Sequence, residues 1–369
     1  SPIRLICWAI LIFLIVPLFA DEVPDQDLDV PYEPSHPKVV EAMIKAAAVT
    51  GQDTLFDLGC GDGRIVIAAA KLGARAIGYD IDEQRLMEAR ERAHVAGVES
   101  KVEFRREDIF KADLSKATVV TMYLLDEINL QMRPRLFRML KPGTRVVTHA
   151  FHMSDWKPDS FIENERARDR KIMYWVIPAS AGGTWTWKAG GQDYRMDLIQ
   201  KFQVVTGTIR SGNSSANIET KINGKSFTVD ATLRGGKETK VSIKGMIDGD
   251  RMTGNVETAG VRSALDAKRT LTNPEGKWRI EMAETKKVFS GNLTLVKDAA
   301  GWTAEFEADK RYAITDLYVW GDSVYFRVPI LGAENPAIYT GRLQNEGTGF
   351  LTNDAASFTT NFTVKKAAK

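Results

Sequence analysis

Thr54-Leu55-Phe56-Asp57-Leu58-Gly59-Cys60-Gly61-Asp62-Gly63-Arg64-Ile65-Val66-Ile67-Ala68 reads as a short apolar strand, a turn through three alternate glycines and a helix of small apolar residues. Glycine at 59, 61 and 63 permits positive φ and lets a ligand approach the backbone without meeting a Cβ. A dinucleotide fingerprint, G-x-G-x-x-G, needs its third glycine at position 64, which is Arg64. The pattern here is an acid, Asp57, followed by G-x-G-x-G. Such a loop also occurs in ordinary strand-to-helix turns, so the flanking sequence has to decide.

Downstream, residues 74–82 form a second strand ending in acids. Asp80 lies seventeen positions after Gly63 (80 − 63), where a Rossmann-like unit carries its ribose-binding carboxylate, and Ile81 follows it. A charged helix over 83–96 leads to a third strand over 101–109 with Asp108 and Ile109 at its end. A fourth strand spans 117–125, a helix 127–139 despite Pro134, and Lys141-Pro142-Gly143 turns into a fifth strand. Residues 171–177 are expected to add antiparallel to the sheet, and upstream 39–48 has helical apolar spacing. Strands alternating with helices predict a parallel sheet covered on both faces, with ligands beyond the carboxyl ends of the strands. Gly59 to Gly63, Asp80, Asp108, Tyr123 and 149–155 all fall on that rim.

These residues resemble motif I and its sequels in the class I (seven-strand) S-adenosylmethionine-dependent methyltransferases. Val30-Pro31-Tyr32-x-Pro34, Asp57 to Val66, Thr144-Arg145-Val146-Val147 and Asp155-Trp156 resemble more narrowly the ATP synthase c-subunit lysine methyltransferase family and its bacterial relatives. The resemblance covers about residues 30–158. It implies S-adenosyl-L-methionine as cofactor, a protein lysine as acceptor, and a cofactor site of Tyr32, Asp57, Gly59, Cys60, Gly61, Gly63, Asp80, Ile81, Asp108 and Ile109, with Asp108 facing the adenine amino group. Met122-Tyr123-Leu124-Leu125 departs from the N/D-P-P-Y motif of many amine and amide methylators, which leaves the acceptor less defined than the cofactor.

For the chemistry, Tyr123 offers an aromatic face to a sulfonium or ammonium, or is simply a core residue at a strand end. His149, Phe151 and Asp155 are expected at the substrate mouth, with His149 able to accept a proton. His149-x-x-His152 with Asp155 lacks a further ligand cluster, and no metal is expected.

The rest of the chain is different in texture. Residues 38–180 carry the methyltransferase pattern, whereas 181–369 shows short alternating runs separated by turn residues such as Asn223-Gly224 and Asp248-Gly249. This β-rich part reads as a degenerate repeat, 181–270 and 275–369, of two small barrels or sandwiches, with Trp185 and Trp187 in a core. At the other end, Arg4, an apolar run to Ala20 and then Asp21-Glu22 have the layout of a signal peptide or an uncleaved membrane anchor. The protein is therefore expected to be exported, periplasmic or extracellular, or membrane-anchored. The proline-rich acidic segment 21–37 is either a linker or a strap that lays Tyr32 over the cofactor. Fifty Lys and Arg against 48 Asp and Glu, a net charge of +2, argue against nucleic acid held by bulk electrostatics, and two cysteines exclude a disulfide framework. Export motivates an alternative function, a binding protein that keeps the methyltransferase fold without turnover.

Overall fold

The computed structural model describes residues 32–162, 171–282, 290–299, 301–308, 310–314, 316–328, 336–344, 349–353 and 360–366. The signal peptide or anchor expected over 1–20, and the strap before Tyr32, lie outside them. Among the described residues no helix is long and apolar enough to cross a membrane.

The first half alternates as its apolar periods require: α1 (Pro37–Ala46), β1 (Thr54–Leu58), α2 (Arg64–Lys71), β2 (Arg75–Asp80), α3 (Glu83–Val95), β3 (Val102–Arg106), β4 (Val119–Met122), α4 (Asp126–Met139), β5 (Arg145–His149), β6 (Ser160–Ile162) and β7 (Ile172–Val176). These strands form one seven-stranded sheet in the order β3-β2-β1-β4-β5-β7-β6. β1 to β5 are parallel, and β7 runs antiparallel to β5, as expected. Short β6 pairs with β7 at the sheet's edge. Successive side chains of a strand point to opposite faces. Leu55 accordingly packs with Val39, Met43 and Val66 of α1 and α2, while Phe56 and Leu58 pack on the other face with Met132 and Leu136 of α4.

The remainder is β, as the sequence texture indicates. Eight antiparallel strands between Gly183 and Thr270 form one sheet whose first strand, Gly183–Ala189, pairs with its last, Val261–Thr270. A bridge between Ser215 and Arg234 brings its two edges together, giving a nearly closed barrel that removes most of the exposed edge. Trp185 and Trp187 are buried in it. A second, nine-stranded sheet runs from Gly276–Met282 to Thr360–Lys366. Its strands Asp316–Trp320 and Ser323–Val328 face the methyltransferase sheet, where Tyr318, Trp320 and Tyr325 share a core with Trp156, Trp175, Leu136 and Phe202.

Candidate cofactor and acceptor site

β1 is the middle one of the five parallel strands, between β2 and β4, so the loop leaving it opens onto the middle of their carboxyl rim. The amides of Gly59 and Cys60 both donate to the Tyr79 carbonyl at 2.9 Å, which folds the chain back over the end of β2. Asp80 ends β2 and fixes the loop from the side. One of its carboxylate oxygens accepts the Gly61 amide at 2.8 Å, the other the Asp82 amide at 3.0 Å. Two glycines are required by close approach as well as by positive φ. A Cβ on Gly59 would lie 2.8 Å from Leu124, and one on Gly61 would lie 2.7 Å from the Tyr32 ring.

These elements enclose a cavity of about 530 Å³, within the range of small-ligand sites. Its wall includes Tyr32, Asp57, Gly59, Cys60, Gly61, Asp80, Ile81, Asp108 and Ile109, together with Tyr123, Leu124, Leu125, Ile128 and Phe151. Every expected cofactor residue except Gly63 therefore lies on it. Gly63 instead caps α2 with φ 74°, and a Cβ there would meet Phe104 and Ala89. It is a packing glycine, needed where α2 approaches β3 and α3.

Asp57 is almost fully buried and accepts a hydrogen bond from Thr121 at 2.7 Å. Burial pushes its carboxyl up to about 7; the Thr121 hydroxyl opposes this, and Asp80 and Asp62 add to it. A buried acid in that state gains from a cation placed beside it. Asp108 lies beyond the end of β3 and accepts the Phe110 amide at 2.9 Å.

Residues 32–35, the described end of the proline-rich segment, line this cavity. Tyr32 is 37% exposed, lies over Gly61, and carries the Arg85 guanidinium 3.9 Å above its ring. Ser35 is buried, and its carbonyl accepts from Arg64 of α2. Its hydroxyl lies 3.0 Å from Nδ1 of His149 at the end of β5. Arg64 in turn pairs with buried Asp62, which also meets Arg92 of α3 at 3.1 Å. Ser35, Asp62, Arg64 and Arg85 were not singled out from sequence. Only the periodicity of α2 and α3 hinted at which of these charges could face the loop.

On the acceptor side two expectations need correction. His149 is buried behind Tyr123, ring centroids 3.9 Å apart, and is not on the cavity wall. It supports Tyr123 and the strap and does not open to the cavity where it would take a proton. Asp155 is also absent from the wall: its carboxylate pairs with Arg133 of α4 at 2.8 Å and accepts from Tyr325 at 2.8 Å. Burial raises that carboxyl, but Arg133, Tyr325 and Lys201 outweigh it and hold it below the usual range. The cause is Arg133, whose fully buried guanidinium needs counter-charges. Phe151 does line the cavity, 5.9 Å from the Tyr123 ring. His152 is exposed beside Asp126, well apart in role from His149.

A loop whose alternate residues are glycine, a carboxylate fixed by backbone amides at the end of β2 and a buried acid near the end of β1 fit a cationic nucleoside ligand. With the seven-strand order they define a class I S-adenosylmethionine-dependent methyltransferase. The family model described as the ANTKMT methyltransferase domain matches residues 57–160. A protein-lysine N-methyltransferase of Saccharolobus islandicus is 42% identical over 150 residues, which is 40% of this chain and 93% of that relative. The human ATP synthase c-subunit lysine N-methyltransferase is 34% identical over 129 residues, 35% of this chain and 55% of its own length, so this chain spans about half of that relative. A solved structure titled as an RNA methyltransferase from Salinibacter ruber in complex with S-adenosyl-L-homocysteine is 47% identical, covers 40% of this chain and 94% of that one, and superposes with a TM-score of 0.38. The chain belongs to the protein-lysine N-methyltransferase family.

Proposed function

We propose that this enzyme methylates the side-chain amine of a lysine in a protein, and that it does so as an exported or membrane-anchored protein. The observation that carries the acceptor reading is the aromatic pair Tyr123 and Phe151, lining the same cavity as the glycine loop in a chain 42% identical to a protein-lysine N-methyltransferase. The apolar run before Asp21 supports the location.

The cofactor is proposed to be held by Gly59 to Gly61, with Asp80 for its ribose, Asp108, Ile81 and Ile109 around its base, Asp57 beside its cationic end and Tyr32 above. S-adenosylmethionine, when bound, supplies a methyl group on a positively charged sulfur. The chain's own task is positioning, since an in-line displacement needs a neutral nucleophile held in a near-attack geometry. A lysine amine is protonated below a pKa of about 10.4 in water. The apolar wall of Leu124, Leu125, Ile128 and Phe151 disfavours the charged ammonium and so favours loss of that proton. The Tyr123 face accommodates the positive charge that reappears on the product amine. With His149 buried behind Tyr123, the proton leaves to solvent through the mouth of the cavity.

The test is methyl transfer from labelled S-adenosylmethionine to proteins of the envelope fraction, with mass spectrometry of the labelled residue. Methyl-lysine is the expected product. Label on another residue type, or only on nucleic acid, would overturn the acceptor reading.

A further inference from the structure

Segment 150–155, which carries Phe151 into the cavity, contains two non-glycine residues in the left-handed region, Ala150 at φ 64° and Ser154 at φ 57°. Such conformations persist only where the surroundings over-determine them. Near its start, Ala150 donates its amide to the Lys171 carbonyl, and the Thr148 hydroxyl donates to the Phe151 carbonyl at 2.7 Å. Its far end is held by Arg133 of α4, which the nine-stranded sheet engages in turn, and by Tyr325 of that sheet. Arg133 Nη1 donates to the Met153 carbonyl and to Asp155, both at 2.8 Å, while its Nη2 pairs with Asp316 and its Nε donates to the Tyr318 hydroxyl at 3.0 Å. The Tyr325 hydroxyl closes the circuit on the second Asp155 oxygen at 2.8 Å. One residue further, Trp156 Nε1 donates to Gln203 at 2.9 Å.

Adhesion between the two halves does not require this network. Phe137, Trp156, Phe202, Tyr318 and Trp320 already pack there with ring centroids 4.5–6.1 Å apart. A buried ion network is a poor adhesive compared with such packing, because both charges give up their hydration, whereas it is directional and can fix a register. Here it fixes the carbonyl of Met153 and the side chain of Asp155, two and four residues after Phe151.

We propose that the nine-stranded sheet is part of the methyl-transfer apparatus, with Tyr325 and Asp316 acting as positioning residues that, through Arg133 and Asp155, hold the Phe151 wall against the acceptor. This rests on the acceptor-side reading above. Among the described residues, the cofactor half of the rim takes no hydrogen bond from this network, so the two halves respond differently when it is cut.

The experiment uses the full chain and three variants. Tyr325→Phe keeps the ring and removes the bond to Asp155. Asp316→Asn keeps the shape and removes a counter-charge from Arg133. Trp320→Phe trims the aromatic packing without touching Arg133. Hydrogen exchange is followed over 149–157 in the cofactor-free protein, S-adenosylhomocysteine affinity by calorimetry, and kcat and KM on poly-L-lysine at saturating cofactor. Tyr325→Phe and Asp316→Asn are expected to speed exchange across 149–155 and lower kcat/KM about tenfold, since small displacements at a reacting centre are costly. S-adenosylhomocysteine affinity should stay within about twofold in both. Trp320→Phe should lower the unfolding temperature without either local effect. Exchange and kcat/KM within about twofold of wild type in both network variants would overturn the proposal. So would exchange that rises uniformly along the chain with lost stability. Should the wild type leave poly-L-lysine unmethylated, the lysine reading fails on that arm, and the exchange data still decide whether the sheet holds the segment.

Discussion

The two halves of the site are built differently. On the cofactor side, Asp57, the glycine loop, Asp80 and Asp108 lie within 52 residues of one another (108 − 57 + 1). Backbone amides fix Asp80, through Gly61, and Asp108, through Phe110, while Asp57 is held by the Thr121 hydroxyl. On the acceptor side, Phe151 sits on a segment held locally by Thr148 and flanked by contacts from far along the chain: Ser35 reaches His149, and Tyr325 reaches Asp155. A site made of backbone turns is specified by local sequence. One made of long-range side-chain contacts is specified by the whole fold.

The most severe way to break that comparison is Gly61→Val. The new side chain would sit at φ 50° and meet the Tyr32 ring, so both the loop and the strap have to move. S-adenosylhomocysteine affinity should fall at least about 100-fold, while the unfolding of the distant barrel stays as it was. Calorimetric titration and hydrogen exchange over 183–270 measure the two, and normal binding would remove the loop from the site. Asp80→Ala should follow with a loss of about tenfold or more, because two backbone amides lose their acceptor in addition to the proposed ribose contact.

The same contrast explains what could be read from the chain. Asp57, Gly59, Gly61, Asp80 and Asp108 are legible because their residue types are imposed by the backbone at strand ends, and strand ends follow from apolar periodicity. The antiparallel β7 and the β texture after 181 follow from periodicity too. Asp155 was not legible. Its neighbours His149 and Phe151 suggested the substrate mouth, but its partners, Arg133 and Tyr325, lie 22 and 170 residues away. His149 was half legible: it lies at the rim, but only the fold shows that Tyr123 covers it. Gly63 is expected from sequence in the cofactor site, but it lies off the cavity wall, and what requires glycine there is packing against Phe104 of β3 and Ala89 of α3.

A pH titration sharpens the cofactor half. Asp57 is neutral below about pH 7 in the free protein, with burial as the main cause. A bound cation favours its ionised form, so binding below pH 7 releases a proton. S-adenosylmethionine affinity should therefore rise from pH 5 to 7, by at most about tenfold per pH unit, and flatten above 7. Calorimetry in buffers of different ionisation enthalpy counts the proton. Asp57→Asn, which still accepts from Thr121, should abolish the slope. A slope that survives in this variant would assign the proton to another group.

The smallest expected effect lies where the two halves meet. Ser35 belongs to the strap over the cofactor, yet its hydroxyl is bonded to His149, which backs Tyr123 on the acceptor side. The sequence left 21–37 open as linker or strap, and Ser35→Ala separates these. The carbonyl of residue 35 still accepts from Arg64 and Tyr32 still packs under Arg85, so the segment is loosened at one of several tethers. Loss of one buried hydrogen bond costs about 1 kcal/mol, or roughly fivefold in an equilibrium constant. If the strap closes on the ligand, that cost appears as faster release of S-adenosylhomocysteine in stopped-flow, with association unchanged. If 21–37 only links, release is unaffected and the loss shows solely as lower stability of the β5 end. A change in release with intact stability would make the strap a shared wall, through which an otherwise local cofactor site depends on the long-range acceptor side.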